Sequence, residues 1–231
     1  METPIFVPSG IGMFYKIIYV NLRHMKKLLG FSIFLVFVLI ASLTAEAKVT
    51  LPAIFSDNMV LQQNTQVNVW GKAAPGEKVT VKASWLDKPV TAKAAANGKW
   101  TVKLKTPKAT TNQSVTVSGE NEITINNVLI GEVWLCTGQS NMEFPVSRHP
   151  DVKWNTGMLN EAEELKDADY PEIRLFHVKH QLAHEGELDD CEGEWLVCNP
   201  KNLYDFSAVG FVFGRKLYKE LKMPVGLIQS T

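Results

Sequence analysis

Residues 131–142 read GEVWLCTGQSNM, and they follow directly on Val128, Leu129 and Ile130. These three, with Val133, Trp134, Leu135 and Cys136, are apolar almost without alternation, as expected of a strand covered on both faces in a parallel sheet. The run then breaks into Gly138, Gln139, Ser140 and Asn141. A glycine permits a sharp turn, and small polar residues after it can reach out at the carboxyl edge of a sheet, where open α/β sheets place their chemistry. A serine hydroxyl there is useful only when a base and an oxyanion hole converge on it. Taken alone, the tetrapeptide is better explained as a turn without function.

Outward from that stretch the pattern continues as α/β. A helix is expected near residues 158–168, a strand at residues 173–178, and a second helix beginning near Asp205 as N-cap. Along the second helix Phe206, Val209, Phe213, Leu217 and Leu221 recur at spacings of three and four, with Arg215, Lys216, Lys219 and Lys222 turned outward. Pro224 stops it, and residues 225–228 start a third strand. Strand, helix, strand, helix, strand is a βαβ series with a parallel sheet. Its third strand lies at the end of the chain, which predicts an open sheet edge.

Before Val128 the period is two. Val79, Val81, Ala83 and Trp85 share one face, and Trp100, Val102 and Leu104 alternate with Lys99, Thr101, Lys103 and Lys105. Asn97-Gly98 is a two-residue hairpin signal, and short strands are expected at residues 67–69, 115–117 and 123–125. This predicts an antiparallel β-sandwich over residues 48–127, followed from residue 128 by the α/β domain. Trp70, Trp85 or Trp100 could stack on a sugar, but the apolar placement of Trp85 and Trp100 favours a core role.

GEVWLCTGQSNMEFPV resembles the first conserved block of the SGNH (GDSL-like) hydrolases, in the branch typified by the sialate O-acetylesterases, where GQSN replaces GDS. FSDNMVLQ at residues 55–62, VWG at 69–71, PGE at 75–77, NGKW at 97–100, IRLF at 173–176, FSAVG at 206–210 and PVGLI at 224–228 resemble the same proteins, in the same order. The resemblance implies a β-sandwich followed by an incomplete three-layer α/β/α SGNH domain. It implies a serine esterase that removes acetyl groups from a carbohydrate, most directly from sialic acids, through an acyl-enzyme. Ser140 would be the nucleophile and its backbone N–H an oxyanion donor, with Gly138, Gln139 and Asn141 shaping the motif. No metal or organic cofactor is implied, and the partner is an acetylated sugar or glycan. Family members continue with Trp-Gly-Gly-Thr, Gln-Gly-Glu-x-Asn and Asp-x-x-His segments, the last carrying the base; none occurs here, so the chain is expected to be the amino-terminal portion of a longer enzyme.

The remaining features bound this reading. Lysine plus arginine and aspartate plus glutamate each number 24, so no basic field favours nucleic acid. Arg23, Lys26 and Lys27, an apolar run over residues 28–43 and Ala45-Glu46-Ala47 together predict a signal peptide cleaved after Ala47. The mature protein would then be exported and free of the membrane. Met25 could itself open that leader, leaving residues 1–24 as a misassigned start. Cys191 and Cys198 are close enough in sequence for a small disulfide loop in an oxidising compartment, and Cys136 reads as a buried hydrophobe. His149 with Asp151 could act as a local base, and His177, His180 and His184 as a metal cluster; solvated or packed histidines are the simpler reading. Glu161, Glu163 and Glu164 read as a solvated helix face. A rival class is a carbohydrate-binding protein in which the sandwich alone is functional, and a rival substrate is another acetylated polysaccharide.

Overall fold

The computed structural model describes residues 48–148, 157–182 and 186–231. The leader and the cleavage position, His149, Asp151 and His184 lie outside the described residues. Residues 48–231 form one compact unit, a mixed α/β structure.

The amino-terminal layers are antiparallel, as alternation predicts. β2 (Gln66–Lys72) pairs with β5 (Lys99–Lys105), and β3 (Lys78–Ala83) lies between β4 (Val90–Lys93) and β6 (Thr110–Ser118). Val69, Trp100, Val102 and Leu104 from the first pair share one core with Val79, Val81, Val115, Val117 and Ile125 from the second layer. The turn at Asn97-Gly98 is present, with Gly98 at φ 77°, but it does not make a hairpin. It carries the chain from β4 in one layer to β5 in the other, because β5 takes β2 as its partner.

The strands expected at residues 123–125 and 128–136 are one element, β7 (Glu122–Thr137). Its first half pairs antiparallel with β6, and its second half pairs parallel with β10 (Val225–Ser230). Asn127, at φ 53°, sits where the β6 register shifts. Such a bulge bends and twists a strand, which lets β7 leave one sheet environment for the next. Position 127/128, the expected domain boundary, therefore falls inside a strand.

Beyond it the sheet order is β7, β10, β8 (Tyr170–His177) and β9 (Trp195–Cys198). β7, β10 and β8 are mutually parallel, while β9 is antiparallel to β8 and was not foreseen. β10 is central rather than at an open edge, correcting that expectation. The edge falls instead on the second half of β7, which has β10 on one side and no strand on the other among the described residues. Val128, Leu129 and Ile130 are buried, but Trp134 and Leu135 are 42% and 62% exposed, so this half is not covered on both faces.

Three helices, α2 (Glu161–Lys166), α3 (Pro200–Leu203) and α4 (Ala208–Leu221), pack their apolar residues into one cluster with this sheet. The N-cap of α4 is Ser207 rather than Asp205, its hydroxyl accepting the Gly210 N–H at 3.1 Å. Its buried face is Ala208, Gly210, Phe211 and Gly214, while Val209, Phe213 and Leu221 are exposed. Glu164 is not solvated: it is buried and ion-paired with Arg215 of α4, which is itself turned inward.

The block at residues 55–62 ties the antiparallel and parallel halves of the long sheet together. Asn58 accepts from Arg174 of β8 at 3.1 Å and from Asn127 of β7 at 2.8 Å. Gln62, at the end of β1 (Val60–Gln62), accepts the Val133 N–H at 2.9 Å. The three cysteines are free thiols, so the Cys191–Cys198 loop is not formed. Cys191 packs against the sandwich core and Cys198 is buried in the helix-side cluster, two different environments. Among the described residues no helix is long and apolar enough to cross a membrane.

Candidate active site

β7 delivers the chain to Gly138, whose φ of 155° is one that side-chain-bearing residues rarely adopt. A Cβ there would also meet Met142 at 3.4 Å. The turn runs straight into a single helical turn, α1 (Ser140–Glu143). The Gln139 carbonyl accepts the N–H groups of Met142 and Glu143 at 2.8 and 3.2 Å, and the Phe144 N–H bonds back to the Ser140 carbonyl at 3.0 Å. Gln139 makes no side-chain cap, and the amides of Ser140 and Asn141 have no partner among the described residues. Gly138, Gln139, Ser140 and Asn141 are all exposed. The structure thus brings the four motif residues together at the carboxyl end of β7, where Thr137 is in register with Ser230 of β10.

A second layer of residues holds this turn, and sequence reasoning missed its purpose. The segment after α1 is laced to the start of α4 through Val146 N–H to Phe206 O (3.0 Å), Ser147 N–H to Tyr204 O (3.1 Å) and Ala208 N–H to Phe144 O (2.8 Å). Ser207 is the knot. Its amide donates to Gln229 Oε1 of β10 at 2.7 Å, its hydroxyl caps α4, and the same hydroxyl lies 3.4 Å from Met142 Sδ. Both Ser207 and Gln229 are fully buried. The FSAVG motif was the signal available; what it lacked was any hint of the partner across the fold.

The electrostatics around the turn come from the neighbouring strand end. His177 closes β8, and burial with the nearby His180 charge holds its pKa below the usual imidazole value, against the pull of Asp205 and Glu143. His180 Nε2 lies 3.7 Å from Glu143 Oε1 of α1. Neither imidazole hydrogen-bonds Ser140 among the described residues. The described residues also contain no group of three or more His, Cys, Asp or Glu able to hold a metal ion. The arrangement offers an exposed hydroxyl beside unpaired amides, the components for attack on a carbonyl and for holding the resulting oxyanion.

The chain is 33% identical over 199 residues to the sialate O-acetylesterase of Mus musculus and 32% identical over 195 residues to that of Homo sapiens. These matches take in 78% and 76% of this chain and 35% of each relative, so the chain spans about a third of the length of the curated relatives it matches. A crystal structure of a carbohydrate acetylesterase from Xanthomonas citri superposes with a TM-score of 0.71 at 31% identity, over 80% of this chain and 40% of that one. No family model matches.

Proposed function

We propose that the chain, which spans about a third of the length of the sialate O-acetylesterases it matches, belongs to their family and carries the nucleophile of a carbohydrate O-acetylesterase. The supporting observation is the exposed Ser140 at the first turn of α1, next to unpaired amides. In this reading Ser140 Oγ attacks the acetyl carbonyl and passes its proton to a base. Collapse of the tetrahedral intermediate breaks the ester C–O bond and releases the sugar hydroxyl. Water then cleaves the acetyl-serine to acetate. The Ser140 amide, with Asn141 beside it, faces the developing oxyanion. Gly138 and Gln139 hold the turn, with Ser207 and Gln229 as positioning residues behind it. No step calls on a metal or an organic cofactor.

O-acetylated sialic acid is the substrate that the mammalian relatives' names suggest, and the bacterial structure, described only as a carbohydrate acetylesterase, supports a wider range of acetylated glycans. The pattern over residues 1–47 supports export to the periplasm or beyond, with a mature chain that starts at Lys48.

The test is acetate release from acetylated sialic acid and from a model aryl ester, using the protein as its natural host makes it. Ser140→Ala should lower turnover by about 10⁶, the scale seen when a serine hydrolase loses its nucleophile. Undiminished turnover in a folded Ser140→Ala variant overturns the assignment.

A further inference from the structure

A cleft of about 360 Å³ opens on the outer face of the sandwich, and none of the GQSN residues lines it. Its floor is the outward side of the β2–β5 pair. Trp70 stands opposite Thr101 and Lys72 opposite Lys99 in the antiparallel register, and all four line the cleft. The wall is the segment ahead of β9, which brings in Asp189 and Asp190.

Three features separate this cleft from ordinary surface. Trp70 is 40% exposed, on the outward side of a strand whose inward residues, Val69 and Gly71, are buried. Phe55 meets its indole edge-on, with centroids 4.6 Å apart, so the ring is held rather than free to fold down. Beside it the carboxylate of Asp189 bridges Lys99 Nζ at 2.6 Å and Lys72 Nζ at 3.2 Å. A carboxylate between two ammonium groups gives acceptors and donors in alternation along one edge of an aromatic plate.

That combination matches one ligand chemistry. The C–H face of a pyranose is weakly positive and apolar, and it stacks on the negative face of an indole. Vicinal hydroxyls each donate and accept, so an ammonium–carboxylate–ammonium row satisfies them in sequence. The two lysines already share Asp189, and Asp190 adds a further acid, so the local charge is balanced and a ligand carboxylate has no uncompensated cation to meet. We propose that the Trp70 cleft is a glycan-binding site for an uncharged hexopyranose unit, distinct from the site of acyl transfer. The proposal is independent of the Ser140 reading, and neither fails with the other.

The experiment is calorimetric titration of the mature chain, residues 48–231, with cellotetraose, β-1,4-galactotetraose, chitotetraose and 3′-sialyllactose. At least one neutral tetrasaccharide should bind with a dissociation constant below about 10 mM, and Trp70→Ala should weaken it at least about tenfold. Trp70→Phe should retain most of the binding, and Asp189→Asn should weaken it about threefold or more, with unchanged circular dichroism in each variant. Trp85→Ala, outside the cleft, should bind as the parent does. Absence of binding by every neutral probe overturns the proposal. So does binding indifferent to Trp70, or binding of 3′-sialyllactose alone that tracks Lys72 and Lys99.

Discussion

Glu164 shows how a single carboxylate changes role once the fold is known. Its guanidinium partner Arg215 contacts both carboxyl oxygens, Asn160 donates to it at 3.0 Å, and Phe211 lies 4.9 Å under the same guanidinium. Those hydrogen bonds from Arg215 hold the Glu164 pKa below the ordinary carboxylate value, outweighing desolvation. The stabilisation is therefore complete above the unfolded pKa, near 4.5, and is lost as pH falls through the lower folded value. Glu164→Gln should lower stability by about 1.5–3 kcal/mol at pH 7, the scale of hydrogen bonds to a charged group, and the gap from the parent should close on acidification. Urea unfolding at neutral pH and near pH 3 checks this; a gap that is constant with pH removes the ion pair from the explanation. In sequence, three glutamates within four residues read naturally as a wet surface. Nothing local shows that one of them meets an arginine brought from another helix.

At the scale of elements, the strands with clear alternation were legible, while short strands such as β9 and the helix faces were not. Alternation in residues 78–83 and 99–105 reports burial directly, since each successive side chain changes face. α4 defeats the same logic because it approaches the sheet through its smallest residues. Gly210 comes so near Cys136 that an added Cβ would lie 3.2 Å from its sulfur, and Gly214 sits against Leu227 of β10. A pattern weighted by large apolar side chains selects Val209, Phe213 and Leu221, which end up outside. Phe213 instead meets Trp134 edge to face at 5.1 Å on the surface. Gly214→Ala would ordinarily stabilise a helix by about 1 kcal/mol. Here its Cβ would collide with both Leu227 methyls, in a side chain that is fully buried. Overpacking should win, with a net loss of about 1–3 kcal/mol in chemical denaturation; a more stable variant would show that the helix can shift outward at little cost.

The whole molecule joins two halves whose sequence signals are separate. The nucleophile turn was legible because its motif is contiguous. Its support from Ser207 and Gln229 was not, since Ser207 meets Gln229 and Met142 only after β10 has been placed between β7 and β8. The cysteines misled for the opposite reason: nearness in sequence carried no information about the layers between them. Cys198 is buried, and desolvation pushes its thiol up to about 12, leaving little thiolate to react. Thiol titration of the protein, denatured without reductant, should find all three cysteines, Cys136, Cys191 and Cys198, reactive. Recovery of only one would establish a disulfide and require the chain before β9 to be rearranged.

β7 runs 16 residues, roughly 50 Å if fully extended, through both halves without a linker. The sandwich is therefore no exchangeable cassette. A recombination crossover at residue 127 would sever a hydrogen-bonded ladder and strip Arg174 of its Asn127 contact, so chimaeras joined there should misfold, whereas grafts that keep residues 122–137 from one parent keep the splice intact.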